Sequence, residues 1–273
     1  RKGILIKGSN YLEILSNVQT IVFDKTGTLT KGNFKVKSIE AVGDKDELLK
    51  IAAHVESFSN HPIAKSIQES YVEEINKEII TEHKEISGHG VTAKINGKTV
   101  YLGNSKLMAK LGINVKEETS SATVVYIAID NQYAGKIEIA DELKEDSKLA
   151  IENLKKQGVK QTVMLTGDRK DVGEDVAKQL GMDKVFTELL PTDKVDKLQE
   201  ILDNKNGKVA FVGDGLNDAP ALAMADVGIA MGAYGTDAAI EAADVVIMTD
   251  EPSKICDAIK TARKTIKISK ENI

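Results

Sequence analysis

The stretch Asp24-Lys25-Thr26-Gly27-Thr28-Leu29-Thr30 decides the fold of this chain of 273 residues. It follows a short apolar run, Thr20-Ile21-Val22-Phe23, whose β-branched and aromatic residues predict a buried parallel strand. Such a strand delivers Asp24 to the carboxyl edge of a sheet, where a loop rich in glycine and threonine begins. A carboxylate there can attack a phosphoryl group and form an aspartyl-phosphate, while loop N–H groups and hydroxyls hold the phosphate oxygens. The plainer interpretation is a turn with a capping aspartate.

Composition excludes several classes of protein. Hydrophobic residues make up 41% and charged residues 29% of the chain, as in ordinary globular proteins. The net charge of -5 argues against a nucleic-acid partner. The single cysteine, Cys256, excludes a disulfide framework within the chain. No apolar run approaches the roughly 20 residues that span a bilayer. The chain opens on Arg1 rather than Met, from which we expect a piece of a longer protein.

Helical and strand patterns alternate from about residue 142 to the end. This alternation predicts βαβ units and a doubly wound parallel sheet, to which the strand before Asp24 also belongs. We therefore expect an α/β core made of residues 1–32 and 142–273. The predicted strands of its later part are 162–165, 209–212, 226–231 and 245–248.

Residues 33–141 have a different character. Two hairpins are predicted there, one over 91–100 with its turn at Asn96-Gly97 and one over 122–139 with its turn near Asp130-Asn131. Helices are expected after Asp44 and from Pro62. This region is predicted to be an inserted α+β domain with an antiparallel sheet.

Three further motifs follow predicted core strands or begin a core helix. They are Thr166-Gly167-Asp168, Lys194 in Pro191-Thr192-Asp193-Lys194, and Gly213-Asp214 with Asp218 shortly after it. Each alone is typical of a turn or a solvated surface charge. In a parallel sheet they gather with Asp24 at one edge. Asp24 and Asp214 then supply hard oxygen ligands suited to Mg²⁺, Thr166 can bond a phosphate oxygen, and Lys194 can neutralise its charge.

The whole set resembles the haloacid dehalogenase superfamily, and the stretch from Asp24 resembles the phosphorylation signature of P-type ATPases. The resemblance implies an aspartyl-phosphate at Asp24. It implies Mg²⁺ held by Asp24, Asp214 and the backbone carbonyl of Thr26, with Asp218 beside it. It also places further residues around the phosphate or nucleotide, namely Lys25, Gly167, Asp168 and Asn217.

Position 26 separates two subclasses. Phosphatases of that superfamily usually carry a second aspartate two residues after the nucleophile, as general acid and base, whereas this chain has Thr26. Without a carboxylate to activate water, the aspartyl-phosphate should persist. A transport cycle needs such persistence, and a free-standing phosphatase does not.

The inserted region carries Glu56-Ser57-Phe58-Ser59-Asn60-His61-Pro62, Gly88-His89-Gly90 and Gly103-Asn104. A histidine before a helix-starting proline is more often structural, and Gly-x-Gly usually marks a tight turn. Together they resemble the nucleotide-binding domain of heavy-metal-transporting P-type ATPases. The resemblance implies that Glu56 and His61 orient the adenine end of ATP. It also implies that Gly88 and Gly90 allow close backbone approach to the nucleotide and that Gly103 and Asn104 complete the site.

The chain is thus expected to be the phosphorylation and nucleotide-binding part of a heavy-metal exporter, on the cytoplasmic side of a membrane, using ATP and Mg²⁺. The resemblance is closer to the zinc/cadmium/lead branch than to the copper branch. Its expected partners are the metal-binding membrane helices and actuator domain of the same polypeptide. The basic residues of the last helix, among them Lys260, Arg263 and Lys267, fit that setting. Alternatives are a copper transporter, a free-standing phosphatase or a non-catalytic nucleotide sensor.

Overall fold

The computed structural model describes residues 3–116, 122–215, 218–232 and 237–272. The chain forms two compact units: a core unit, Arg1–Gly32 with Leu143–Ile273, and an inserted unit, Asn33–Glu142. The inserted unit ends one residue beyond the expected 141, because its last strand continues through that position.

The strands, numbered along the chain, are β1 (Ile4–Ile6), β2 (Val18–Asp24), β3 (Thr30–Ala41), β4 (Ile80–Ile86), β5 (Gly90–Ile95), β6 (Lys98–Gly103), β7 (Thr123–Ile129), β8 (Gln132–Leu143), β9 (Gln161–Leu165), β10 (Lys184–Phe186), β11 (Lys208–Gly213), β12 (Val227–Met231) and β13 (Val245–Ile247). The α-helices are α1 (Ser9–Ser16), α2 (Lys45–Val55), α3 (Pro62–Ser70), α4 (Ser105–Lys110), α5 (Ser147–Lys156), α6 (Lys170–Leu180), α7 (Pro191–Asp203), α8 (Ala219–Met224), α9 (Asp237–Ala242) and α10 (Ser253–Glu271).

The core unit is built on a seven-stranded sheet with the order β1-β13-β12-β11-β2-β9-β10. Strand β2 pairs in parallel with β9 on one side and β11 on the other. The chain therefore winds outward in two directions from β2, which confirms the predicted doubly wound fold. One correction concerns the edge: β1 runs antiparallel to β13. Only parallel strands that follow one another in the chain need a crossover helix. The short strand β1 lies at the edge and precedes α1, so it can pair in the antiparallel direction.

The apolar run of β2 is continuous because both faces of the sheet are covered. Ile21 and Phe23 pack with residues of α5, α6 and α10 on one face. Val22 packs with Leu198 of α7 and Leu222 of α8 on the other. The side chains of Ile21, Val22 and Phe23 are all fully buried. Burial on both faces fixes the position of Asp24, the next residue.

The inserted unit contains a six-stranded sheet with the order β3-β8-β7-β6-β5-β4. Both predicted hairpins are confirmed: β5 pairs antiparallel with β6, and β7 with β8. Their turns place Asn96 and Gly97 at φ of 50° and 80°, and Asp130 and Asn131 at 49° and 60°. Left-handed conformations at both turn positions suit the twist of two-residue hairpins. Helices α2 and α3 contribute to the apolar cluster on this sheet.

Within the described ranges, no helix combines the length and apolar character needed to cross a membrane.

Candidate functional site

Asp24 ends β2 and opens a tight turn over Lys25–Leu29. The turn is closed by Thr30, whose hydroxyl accepts a hydrogen bond from the Gly27 N–H at 3.0 Å and donates to the Lys25 carbonyl at 3.3 Å. Gly27 reverses the chain with a φ of 76°. These bonds account for the glycine and threonine of the signature, because a rigid loop must follow the carboxylate.

Helix α7 brings Lys194 to Asp24. The helix begins at Pro191, and the Asp193 carboxylate accepts a hydrogen bond from the Leu190 N–H at 2.9 Å, which satisfies an otherwise free donor. One turn into the helix, the Lys194 Nζ donates to the Asp24 Oδ1 at 2.7 Å. The structure thus joins two residues that are 170 positions apart in the sequence, as the strand-edge argument predicted.

Asp24, Asp214 and Asp218 share one cavity of about 330 Å³, which Thr26 and Lys194 also line. Burial raises the pKa of Asp24, and the ammonium of Lys194 acts against that rise. The pKa of Asp218 is raised to about 8 by burial and by the neighbouring carboxylates of Asp24 and Asp214. The cavity therefore places three carboxyl groups beside one lysine, and burial with mutual repulsion favours a proton on Asp218 near neutral pH.

Two glycines allow these carboxylates to approach the backbone. A Cβ at Gly27 would lie 2.2 Å from the Asp214 Oδ2, and a Cβ at Gly213 would lie 2.4 Å from the Asp218 Oδ2. Both distances are shorter than any real contact, so a side chain at either position would displace the carboxylate beside it. The sequence analysis missed both roles, because their only signal was a glycine in a loop.

The donor set fits Mg²⁺ rather than a transition metal. In the described part of the chain, no group of three or more His, Cys, Asp or Glu side chains could by itself hold a metal ion. Mg²⁺ is usually held by one or two carboxylates together with waters and substrate phosphates. The Asp218 Oδ2 is buried without a hydrogen-bond partner among the described residues, and a cation bound in this cavity would satisfy it.

Lys25 and Asp168 pair with each other. The Lys25 Nζ lies 2.5 Å from the Asp168 Oδ2, and the Lys25 side chain is only 6% exposed. The Thr166 hydroxyl accepts a hydrogen bond from the Asp168 N–H at 3.1 Å. The pair thus ties the turn after β2 to the loop after β9, which holds Thr166 and Gly167. Asn217, also predicted here, lies outside the described residues.

Lys144 is a further residue that the sequence analysis missed. Its Nζ donates to the Gly27 carbonyl at 3.1 Å and to the Asp250 Oδ1 at 2.7 Å. Its backbone N–H donates to the Leu29 carbonyl at 3.0 Å. Lys144 therefore holds the turn after Asp24 in place. It does not belong to a recognisable sequence motif, which is why the sequence analysis missed it.

In the inserted unit, Glu56 begins a short turn after α2. The Gln68 amide donates to the Glu56 and Ser59 carbonyls at 2.6 and 3.1 Å, which holds the turn against α3. Burial, aided by the nearby carboxylate of Glu85, raises the pKa of Glu56 to about 7. A carboxyl group whose pKa is raised by burial and by a second carboxylate is a candidate for a binding site.

Glu85 belongs to β4, beside the predicted glycines. Its neighbour Ile86 pairs with Gly90, and Gly90 pairs with Gly103. The Asn104 amide donates to the Gly88 carbonyl at 2.9 Å, and its Oδ1 accepts from the Leu107 N–H at 3.1 Å. Glu56, Gly88, Gly90, Gly103 and Asn104 thus lie at one end of the sheet.

His61 has a local role in this structure. Its Nδ1 accepts a hydrogen bond from the Ile63 N–H at 3.3 Å, so it caps α3 ahead of Pro62. The side chain is exposed. These contacts agree with a purely structural role for His61, that of a helix cap. Its role toward the adenine ring stays a prediction.

Gly90 and Gly88 should differ in their tolerance of a side chain. A Cβ at Gly90 would lie 2.0 Å from the Leu102 carbonyl oxygen at a φ of 149°, whereas a Cβ at Gly88, at a φ of 71°, would have no described atom within 4 Å. We expect Gly90→Ala to lower the free energy of unfolding by at least about 3 kcal/mol, through overpacking and backbone strain. Gly88→Ala should cost about 1 kcal/mol, from strain alone. Urea denaturation measures both, and equal losses would contradict the packing argument.

The raised pKa of Glu56 predicts a pH-dependent stability. The folded state holds this proton up to about pH 7, whereas the pKa of a glutamate in the unfolded chain is about 4.5. Because the folded-state pKa is the higher one, Glu56 destabilises the fold as pH rises through that window. The loss is complete above about pH 7 and amounts to at most about 3 kcal/mol.

Unfolding of the wild type and Glu56→Gln at about pH 5 and about pH 8 measures this term. The variant should gain stability over the wild type mainly at the higher pH. Glu85→Gln, which removes the neighbouring charge, should produce a smaller gain in the same direction. A difference between wild type and Glu56→Gln that does not change with pH would refute the shift.

Comparisons with known proteins place these features in context. A family model described as haloacid dehalogenase-like hydrolase matches residues 18–226. A cadmium, zinc and cobalt-transporting ATPase of Bacillus subtilis is 51% identical over 278 residues, covering 100% of this chain and 40% of that protein. A zinc-transporting ATPase of Synechocystis is 51% identical, with 100% and 38% covered. A copper-exporting P-type ATPase of Staphylococcus haemolyticus is 41% identical, with 99% and 34% covered.

Two solved structures are similar throughout. A zinc-transporting PIB-type ATPase in its E2.Pi state superposes with a TM-score of 0.82 at 34% identity, covering 100% of this chain and 45% of that chain. The catalytic domain of a CPx-ATPase, studied for its changes on nucleotide binding, gives a TM-score of 0.71 at 33% identity, with 95% and 96% covered. The chain thus spans less than half the length of the transporters it matches and nearly all of an excised catalytic domain.

Proposed function

Because the chain belongs to the haloacid dehalogenase-like hydrolase family, we propose that it is the phosphorylated and ATP-binding part of a heavy-metal-transporting P-type ATPase. The observation that carries this proposal is the buried Asp24 at the end of β2, with the Lys194 Nζ 2.7 Å from its carboxylate. Thr26 stands where a phosphatase would carry its second carboxylate.

The reaction proposed is the transfer of the γ-phosphoryl group of ATP to Asp24. A carboxylate oxygen of Asp24 attacks the γ-phosphorus, the bond from that phosphorus to the bridging oxygen breaks, and ADP leaves with the electron pair. Lys194 balances the charge of the phosphoryl oxygens, and the Thr166 hydroxyl is free to donate to one of them. The Lys25–Asp168 pair keeps the two loops in register, and Gly167 links Thr166 to Asp168.

The carboxylates of Asp24 and Asp214 and the carbonyl of Thr26 would hold Mg²⁺, with Asp218 beside them. The ion supplies positive charge to the phosphoryl oxygens when bound.

ATP binding is assigned to the end of the inserted sheet that holds Glu56, Gly88, Gly90, Gly103 and Asn104, together with His61. Gly88, where an added Cβ would have no described atom within 4 Å, leaves bare backbone for close contact with a flat ring, whereas Gly90 and Gly103 are required by the packing of the sheet itself. Glu56, with its raised pKa of about 7, can present a proton to an acceptor nitrogen of the base.

A pulse and chase with ATP labelled in its γ-phosphate tests the proposal. Because Thr26 offers no base, the wild-type chain should take up label that is sensitive to hydroxylamine and decays slowly after a chase with unlabelled ATP. A well-placed general base typically accelerates such a hydrolysis by about 10²–10⁴-fold, so its absence at position 26 should slow the decay of the label by a factor of this order. Rapid turnover of small phosphoesters by the wild-type chain would instead favour the free-standing phosphatase.

Zinc or cadmium is the proposed cargo, because the zinc and cadmium transporters compared are 51% identical and the copper exporter 41%. In a longer polypeptide that carries this chain, with membrane helices and an actuator domain, zinc and cadmium should stimulate ATP hydrolysis more than copper does. The chain would then lie on the cytoplasmic side of the membrane. Stimulation by copper alone would assign the protein to the copper branch.

A further inference from the structure

A second cavity of the core unit lies at the sheet edge opposite Asp24. Its volume is about 510 Å³, and it is lined near the starts of β2, β9 and β10 by Thr20, Gln161 and Lys184. Thr20 precedes Asp24 by four residues of β2, which corresponds to about 13 Å of extended strand. The cavity is therefore separate from the phosphorylation site. Its size is in the range of small-molecule sites.

The lining of this cavity is strongly basic. Four lysines, Lys160, Lys184, Lys197 and Lys205, face a single acid, Glu200. The whole chain carries a net charge of -5, so four cations around one cavity run against its overall composition. A concave basic surface of this kind attracts anions.

Two of the four lysines are already engaged. The Lys205 Nζ lies 2.7 Å from the Asp226 carboxylate, and the Lys197 Nζ lies 2.9 Å from that of Glu200 and 4.5 Å from the centre of the Phe186 ring. These contacts hold the cavity wall in place.

The other two are free. In the part of the chain that the structure describes, Lys160 and Lys184 have no carboxylate within 4.0 Å. They stand at the ends of adjacent strands, because Lys160 immediately precedes β9 and Lys184 begins β10, which pairs with β9. The backbone N–H of Lys160 donates to the Gln19 carbonyl at 2.8 Å, which anchors its main chain. Two cations with anchored main chains, neither of which has a carboxylate partner among the described residues, thus border one cavity.

We propose that this cavity binds a phosphate-bearing organic anion, whose phosphate pairs with Lys160 and Lys184. The remaining lining fits the organic part of such a ligand: the Phe186 ring and Ile201 offer apolar contact, and the Gln161 and Asn206 amides offer hydrogen bonds. A bare phosphate would leave most of the volume unused. A soluble phosphate ester and a phospholipid headgroup share this chemistry. The proposal does not depend on phosphorylation of Asp24.

Glycerophosphate is a probe that carries the shared chemistry. Titration into the chain, followed by NMR of the Gln161 and Asn204 backbone amides, reports on this cavity, while the Gly213 amide reports on the phosphorylation edge. In the wild type the cavity amides should shift to saturation, with an affinity that falls as salt is added. Charge-assisted hydrogen bonds to a phosphate predict at least about a tenfold loss of affinity when both free lysines become glutamine, K160Q/K184Q.

The matched control is K156Q/K208Q, which removes two exposed lysines of the same unit that do not line the cavity. It should bind as the wild type does. Vesicles of phosphatidylcholine with and without phosphatidylglycerol then separate the sources. Vesicle binding that requires phosphatidylglycerol and is lost in K160Q/K184Q assigns a lipid headgroup, whereas binding of glycerophosphate alone assigns a soluble ester. Equal affinities in the two double variants, or no saturable shift with either probe, would overturn the proposal.

Discussion

Replacing Asp24 by asparagine is expected to abolish labelling of the chain by the γ-phosphate of ATP. The amide has nearly the shape of the carboxylate but cannot act as the nucleophile, so no acyl-phosphate forms. The wild-type label should be released by hydroxylamine, and the variant should carry none. The loss should be complete rather than partial, since no other carboxylate replaces the nucleophile at the end of β2.

Asp226→Asn is the matched control for that experiment. Asp226 is also a carboxylate of the core unit paired with a lysine, at 2.7 Å from the Lys205 Nζ, but it lies directly before β12, at the sheet edge opposite the phosphorylation site. This variant also loses an ion pair, yet it should retain the label. Circular dichroism of both variants should match that of the wild type. Label that persists in Asp24→Asn would move the phosphorylation site to another residue.

The prediction at Asp24 was possible from sequence because it depends on local patterns. An apolar run that ends in a carboxylate, repeated as strand-end motifs at Thr166 and Asp214, is enough to place those residues at one sheet edge. The Lys194 contact was expected as well, because the start of the helix at Pro191 was placed at the sheet edge where the strand-end motifs gather. Periodicity and turn chemistry act over a few residues and identify the strands and their ends. The topology of a parallel sheet then places those ends at the same edge.

Features that depend on close approach of distant segments could not be predicted. The antiparallel β1 is decided by pairing with β13, more than two hundred residues later. The Lys25–Asp168 pair and the Lys144 contact with Gly27 arise from loops of different strands. The raised pKa of Glu56 requires the carboxylate of Glu85 from β4, a strand without a clear pattern in the sequence. In each case the feature is determined by a contact between segments that are distant in the sequence.

The two possible roles of His61 are another feature that the sequence alone does not separate. His61 and Pro62 are consistent with both a helix cap and a ligand contact, and the structure shows the cap. A cap is satisfied within two residues of sequence, so the motif alone never distinguishes the two roles. His61→Asn would keep a capping side chain, and ATP titration of that variant separates the roles more cleanly than a residue that cannot cap.

Gly27→Ala is expected to lower the rate of phosphorylation by on the order of 10²-fold or more, while the chain still folds. The new methyl group would begin 2.2 Å from the Asp214 Oδ2, so the Asp214 carboxylate must move. That displacement removes a hard oxygen ligand from the proposed Mg²⁺ site. The rate should recover only partly at high Mg²⁺, because the altered ligand geometry is permanent. Single-turnover labelling across a range of Mg²⁺ concentrations measures both effects.

Gly32→Ala separates this displacement from backbone strain. Gly32 has a φ of 74°, close to the 76° of Gly27, so both substitutions impose a similar conformational cost of about 1–3 kcal/mol. Gly32 lines the same cavity, but among the described residues a Cβ there would meet only the Gly27 backbone, its Cα at 3.5 Å and its N at 3.8 Å, and no carboxylate. Both variants should therefore lose similar stability, and only Gly27→Ala should lose phosphorylation and its response to Mg²⁺. Equal losses of activity in the two would mean that the turn after Asp24 matters through its rigidity, and that Asp214 does not depend on the bare backbone at position 27.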